Sequence, residues 1–258
     1  MKKILLTGSN GYISKSILSS FNNTDYDITK LNRSNFDLTD ENSLKKWIDD
    51  KYFDVVIHTA IEGGNRLKQD DGNTLYRNIL MYDNLLDCKN HYKKFITFGS
   101  GAEFSNPKSP YGLSKRIIAD SINQNDNFYN LRIWGVFDEN EDDRRFIKSN
   151  IRRYINKEPM LVSSNKKMDF IFMQDLIHII KSYIENDNQD REIDCTYPEK
   201  FSLLEIAGKI NSLSDYHVDI VLDDKIEQDY IGGSCQIAGI NSLDYGIKKV
   251  YKNFLKSV

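Results

Sequence analysis

The chain carries only three cysteines in 258 residues, and Cys88, Cys195 and Cys235 are too far apart to form a CxxC pair. An odd number at such wide spacing argues against a disulfide framework or a structural zinc site and leaves three reduced thiols as the plain reading. Long apolar runs are missing as well. Two opening lysines precede Ile4-Leu5-Leu6, and the run breaks at Thr7-Gly8, well short of the roughly 7–15 apolar residues of a secretory segment. No stretch approaches the ~18 apolar residues of a membrane span. There is no basic excess either: 35 Lys+Arg stand against 38 Asp+Glu, for a net charge of −3. Nucleic-acid binding by phosphate neutralisation is therefore excluded. No internal repeat or low-complexity linker is visible. These absences predict a soluble, cytoplasmic protein without a metal centre, a nucleic-acid partner or membrane association.

The residues that are present, 40% hydrophobic and 28% charged, suit one large α/β domain. Short apolar runs at Lys3–Thr7, Tyr26–Leu31, Asp54–His58, Lys94–Phe98 and Tyr129–Ile133 read as strands. Between them lie helical patterns: Tyr12 to about Ser20, a helix capped by Thr39 or Asp40, the series Leu75, Ile79, Tyr82, Leu86, and Tyr111–Asn123. Alternation of this kind predicts βαβ units, and so a Rossmann-type, doubly wound parallel sheet with helices on both faces. After about residue 135 the pattern loosens. Residues 138–145 read as a charged, solvated loop, and Ser202-x-x-Glu205 reads as a capping box. The expectation is a single domain over 1–258, in which residues from about 135 form a small C-terminal substrate-side lobe with no core of its own.

The first strand ends in Thr7-Gly8-Ser9-Asn10-Gly11-Tyr12-Ile13-Ser14. A glycine turn there presents backbone N–H groups and a helix N-terminus to a pyrophosphate, which makes Gly8, Asn10, Gly11, Tyr12 and Ile13 candidate cofactor contacts. The spacing is Gly-x-x-Gly-x-x-Ser rather than GxGxxG. In NAD-binding sheets a carboxylate closes the second strand and bonds the ribose 2′-hydroxyl. This strand runs instead into Asn32-Arg33-Ser34. A guanidinium and a hydroxyl suit a 2′-phosphate, so NADP(H) is expected over NAD(H), which stays possible. The alternative is that Arg33 is a solvated surface charge.

Tyr111-Gly112-Leu113-Ser114-Lys115 places a phenol and an ammonium on one helix face. A carbonyl reduced by hydride needs a proton at its oxygen. A phenol is a poor donor at neutral pH unless a neighbouring cation favours its anion. Ser100, eleven residues upstream at a strand end, can bond the same oxygen. Ser100, Tyr111 and Lys115 are the candidate catalytic residues.

Together these features resemble the extended short-chain dehydrogenases/reductases, in particular the group of nucleotide-sugar epimerases, dehydratases and reductases. The glycine turn is similar to that family's TGxxGxxG, with Ser14 at the third glycine. The resemblance implies that Asp37-Leu38 meets the adenine, and that Thr59, Ala60 and Ile61 after His58 border the cofactor. It also implies that Asn78 belongs to the site. Leu131–Phe137 resembles the group's LRxxNVYG segment with Gly135 for the Asn, and 168–176 resembles R-x-F-x-x-V-x-D-L/V. Departures narrow the chemistry. The group's dehydratases follow the catalytic hydroxyl residue with Asp-Glu, and its GDP-fucose-forming epimerase-reductases place a Cys two positions on. Here those positions are Gly101 and Ala102. The resemblance therefore implies plain C4 reduction of a nucleotide-diphospho-4-keto-6-deoxy sugar for surface polysaccharide. A nucleotide-sugar C4 epimerase with bound NAD, or a non-catalytic NADP sensor of the same fold, are the alternatives. His58 and Glu103 read as structural, and Arg144, Arg145, Arg152 and Arg153 as a solvated helix face. Tyr82, Leu85 and Leu86 with Ile117, Ile118 and Ile122 offer more apolar residues than one core face needs, so a homodimer is expected.

Overall fold

A computed structural model describes residues 1–21, 26–64, 69–187, 189–223 and 225–256. The alternating signals fold as an alternating chain: β1 (Lys2–Thr7), α1 (Tyr12–Ser20), β2 (Tyr26–Leu31), α2 (Glu41–Ile48), β3 (Phe53–His58), α3 (Gly72–Asp87), β4 (Tyr92–Ser100), α4 (Ala102–Ser105), α5 (Pro110–Ile122) and β5 (Phe128–Ile133). There follow β6 (Val136–Phe137), α6 (Phe146–Ile155), β7 (Met160–Val162), β8 (Ile171–Phe172), α7 (Met173–Glu185), β9 (Glu192–Cys195), α8 (Leu203–Asn211), β10 (Ile220–Leu222) and α9 (Leu243–Lys256). The chain divides into two compact units. The first holds Met1–Arg132 and Ile180–Ile193, and the second holds Ile133–Ile179 and Asp194–Val258.

The first unit is the expected sheet. Its strands lie in the order β2-β1-β3-β4-β5-β9, and the pairs β1–β2, β1–β3 and β3–β4 are parallel. Strand order reverses between β1 and β3, and doubly wound sheets bind ligands outside the carboxyl ends of the strands at such a reversal. The β-branched and aromatic residues of β3 and β4 are buried because both faces are covered. Phe95 stacks on Phe128 at 4.9 Å in that core. Local chemistry sets the helix starts. The Asp40 side chain accepts from Ser43 N, Asp71 and Thr74 form a capping box, and Ser109 caps α5 with Pro110 at its first position.

Helices α3 and α5 pack on each other. Tyr82, Leu85, Ile118 and Ile122 are buried there, and of the six residues expected to supply a dimer face only Ile117 is exposed. Those four side chains serve the core of their own unit and offer no surface. Buried Lys94 points inward from β4 and donates to the carbonyls of Tyr183 (2.7 Å) and Asn186 (2.8 Å) at the end of α7. A cation there complements the C-terminal carbonyls of a helix.

The second unit departs from expectation in two ways. It has a core of its own, in which α6 packs on α8 and α9 and fully buried Tyr154, Phe137 and Phe172 fill the interior. In addition, 138–145 is not a uniformly solvated loop. Asp138 and Glu141 are buried; Asp138 accepts from Asn140 N (2.7 Å), and the Glu141 carbonyl accepts from buried Lys148 Nζ (2.5 Å). Acidic composition alone conceals these local bonds and the burial of both side chains. Ser202 and Glu205 form the expected capping box of α8. Gly135 lies against Asp169 and Phe170, where a side-chain Cβ would fall 2.8 Å from the Phe170 ring. Among the described residues no helix is long and apolar enough to cross a membrane.

Candidate active site

At the β1–β3 reversal the backbone closes tightly. Gly8 adopts φ +67°, and a Cβ there would lie 2.5 Å from Ala60 N. Only glycine combines that dihedral with that approach. Gly11 N donates to Gly8 O (2.9 Å), and Gly11 caps α1 without a side-chain bond to its first amides. Asn10 and Gly11 are exposed, and Tyr12 and Ile13 are half-buried. Four N–H groups at a helix start lack intrahelical partners, so this turn fits a pyrophosphate. Ser14, at the third-glycine position, is fully buried with Oγ 2.5 Å from Thr59 Oγ1, which in turn donates to Thr7 O (2.7 Å). The serine thus keeps the close helix–strand packing that a glycine would allow.

Beyond β2, Asn32 organises the turn: its Oδ1 accepts from Ser34 N (3.0 Å) and Ser34 Oγ (2.5 Å). Arg33 is exposed, and its Nη2 donates to Glu62 Oε1 (2.7 Å). Asp37 accepts from Thr39 N (3.0 Å) and Oγ1 (2.7 Å), bonds that hold its carboxyl below the usual range. Leu38 is buried, and its carbonyl accepts from Asn84 Nδ2. After β3, Thr59 and Ala60 face the glycine turn and Ile61 is exposed. Buried Asn78 clamps the next peptide group: its Oδ1 accepts from Glu62 N (2.8 Å) and its Nδ2 donates to Glu62 O (3.0 Å). The same Nδ2 reaches Ser114 Oγ (3.1 Å) in α5. This clamp and the Glu62 carboxylate escape sequence reading, since neither follows from residues adjacent in the chain.

Ser100 ends β4, and its Oγ accepts from Ala102 N (3.2 Å). Short α4 then packs on α5. A Cβ at Gly112 would fall 2.1 Å from Asn106 O and 2.7 Å from Ala102 O, so the glycine after Tyr111 lets the two helices meet. Lys115 Nζ donates to Phe98 O (2.5 Å) and stands 5.9 Å from the centre of the Tyr111 ring. The lysine is only 8% exposed. Burial pulls its ammonium down to about 8, and the charge of Glu103 opposes that fall. His58 is buried with Nδ1 2.8 Å from Thr7 Oγ1; burial, then the Lys115 charge, hold the ring down at about 3, so it is neutral and structural.

Glu103 is structural in a more specific sense than sequence suggests. It is buried; Oε1 accepts from Ser100 N (2.8 Å), and Oε2 accepts from Arg132 Nε (2.7 Å). Arg132 also donates through Nη2 to Glu192 Oε2 (2.5 Å). Burial raises the Glu103 carboxyl against the pull of Arg132. The pair ties the backbone of Ser100 to β5 and β9. Of Arg144, Arg145, Arg152 and Arg153, three pair with neighbouring carboxylates: Arg144 with Asp142, Arg152 with Asp143 and Arg153 with Glu158. Among the described residues no group of His, Cys, Asp or Glu could hold a metal ion.

Residues 4–195 match the NAD dependent epimerase/dehydratase family. CDP-abequose synthase of Salmonella muenchen is 21% identical over 98% of this chain and 97% of its own length. Among solved structures, dTDP-4-dehydrorhamnose reductase of Bacillus anthracis in complex with NADP superposes with a TM-score of 0.80 at 16% identity, covering 98% of each chain. UDP-glucose 4-epimerase of Thermotoga maritima with UDP-glucose gives 0.78 at 16% identity over 99% of each. At these identities the structural likeness speaks for the fold alone.

Proposed function

The chain belongs to the NAD-dependent epimerase/dehydratase family and is an NAD(P)-dependent oxidoreductase of the extended short-chain dehydrogenase/reductase type, and from that premise we propose that it reduces the C4 ketone of a nucleotide-diphospho-4-keto-6-deoxy sugar with NADP(H). The observation that carries this reading is the stretch from the end of β4 to α5. It supplies Ser100, Tyr111 and Lys115, while Gly101 and Ala102 offer no acid or base for elimination or enolisation. The CDP-abequose and dTDP-rhamnose relatives point the same way, toward deoxysugar formation. NADPH supplies the hydride when bound.

The chain's own residues do the rest. Ser100 Oγ bonds the substrate oxygen and fixes its position. Tyr111 gives that oxygen its proton as charge develops. Lys115, an ammonium below about pH 8, favours the phenolate that remains and binds the nicotinamide ribose. Gly8, Asn10, Gly11, Tyr12 and Ile13 hold the pyrophosphate, with Thr59, Ala60, Ile61 and Asn78 beside them. Arg33 and Ser34 take the 2′-phosphate, and Asp37 and Leu38 take the adenine. NAD(H) remains a usable, weaker cofactor. Residues from about 135 onward serve as the substrate-binding part of a cytoplasmic homodimer.

The test is a screen of CDP-, dTDP-, GDP- and UDP-linked 4-keto-6-deoxy sugars for NADPH consumption. At least one should be reduced, with NADPH preferred over NADH. Interconversion of C4 epimers by purified protein without added NADPH would identify an epimerase instead, and equal kcat/KM for both cofactors would refute the NADP(H) assignment.

A further inference from the structure

Arg33, Glu62 and Arg77 come from three places in the first unit: the turn after β2, the segment after β3 and the helix α3. Their side chains meet at one atom. Arg33 Nη2 and Arg77 Nε each donate to Glu62 Oε1 at 2.7 Å. Arg77 also lies 3.6 Å from Asp37, whose carboxylate is already bonded to Thr39. Ion pairs with an exposed partner such as Arg33 add little to stability, yet the backbone that carries the carboxylate is firmly placed. Asn78 clamps both the N–H and the C=O of Glu62, and is itself buried and tied to α5. Two guanidiniums converging on one oxyanion at a fixed point is the donor arrangement that recognises a phosphate.

We propose that the point where Arg33 and Arg77 converge is the 2′-phosphate subsite for the adenosine ribose, that Arg77 is its second guanidinium beside Arg33 and Ser34, and that Glu62 is a built-in competitor holding both guanidiniums until the phosphate displaces it. The inference rests on the NADP(H) reading above and deepens it. The Glu62 carboxylate orients the two forks in the free protein and keeps them from weakly held anions. A phosphate carries more charge and more acceptor oxygens, so it takes both arginines. A dinucleotide without that phosphate has nothing to offer in exchange and leaves the Glu62 contacts as they are. The carboxylate near an incoming phosphate also repels it, so the natural affinity for NADPH is lower than the two arginines alone would give.

The experiment is calorimetric titration of NADPH and of NADH into the wild-type chain, Glu62→Gln, Arg77→Gln and Arg77→Lys. Glu62→Gln should tighten NADPH by about three- to tenfold, as loss of one repulsive charge several ångströms away implies, and leave NADH within about twofold. Arg77→Gln should weaken NADPH by about tenfold or more with NADH unchanged, as loss of one charge-assisted bond implies. Arg77→Lys should recover part of that loss. NADH binding is the folding control for each variant. A Glu62→Gln chain that loses NADH affinity and keeps NADPH affinity would overturn the inference, because the carboxylate would then accept from the ribose hydroxyl. A wild-type preference for NADPH that neither Glu62→Gln nor Arg77→Gln alters would overturn it alone. Wild-type protein that does not prefer NADPH would overturn the reading beneath it as well.

Discussion

Replacing Lys115 by Met separates what the lysine does for chemistry from what its burial does to the fold. The ammonium is buried on α5, bonded to Phe98 O, and its pKa lies at about 8 instead of 10.5 because burial disfavours the charge. In the unfolded chain the lysine holds its proton up to 10.5. Between those two values the unfolded state binds the extra proton, so wild-type stability rises with pH across that window and the contribution is absent below it. At about 1.4 kcal/mol per pH unit, the gap corresponds to about 3 kcal/mol. Methionine fills the same stem without a charge. The difference in unfolding free energy between Lys115→Met and wild type should therefore fall by about 3 kcal/mol, in wild type's favour, from pH 7.5 to 10.5. Whatever constant offset the lost bond to Phe98 O introduces does not affect that slope. Urea denaturation at four or five pH values measures it. A difference that stays flat across the window would refute the burial argument. Reductase activity should be lost at every pH, with NADPH binding weakened as well.

Tyr111→Phe removes one hydroxyl and should lower kcat by about 10²–10⁴-fold with NADPH affinity intact; undiminished kcat would remove the tyrosine from the mechanism. His58, held neutral at about 3 against an ordinary 6.5, supports the fold above pH 6.5 and loses that support as pH falls toward 3. Acid unfolding of His58→Gln should accordingly show a shallower slope than wild type over that range, and parallel curves would contradict this. Glu141, pushed up by burial to about 8 from 4.5, makes wild type less stable as pH rises from 4.5 to 8. Glu141→Gln should remove a decline of up to about 5 kcal/mol, and melting temperatures compared at pH 5 and 8 check it. Finally, with Ala102 in place of an acid or base, turnover in deuterated water should leave the carbons next to the ketone unlabelled by mass spectrometry. Deuterium there would mean that the enzyme enolises its substrate.

What sequence reading reaches here follows from chain distance. The run from β1 through Gly8 to α1, and the run from β4 through Ser100 to Lys115, are continuous, so periodicity and spacing report them directly. The parallel sheet follows from the same alternation. Long-range pairing is invisible at that level. Glu103 meets Arg132 across 29 positions, and Arg132 meets Glu192 across 60. Asn78 reaches Glu62 by folding back from α3. Nor can an apolar count tell a core face from a docking face, which is why Tyr82 and Ile118 read as surplus while both lie inside the unit.

The interrupted course of the first unit matters while the chain is being made. The sheet that starts at Lys2 is finished by β9, after an excursion over 133–179 into the second unit. Until residue 193 is synthesised, Asn130 N has no Arg191 carbonyl to meet, Lys94 lacks the carbonyls of Tyr183 and Asn186, and Arg132 lacks Glu192. At about 5–20 residues per second of synthesis, β5 remains an open edge on the ribosome for about 3–12 s. Unpaired strand edges recruit other strands. The nascent form most exposed to aggregation is thus a chain of roughly half to three-quarters length, already holding its glycine turn and α5, and it is at this stage that a holdase chaperone would have most effect on yield.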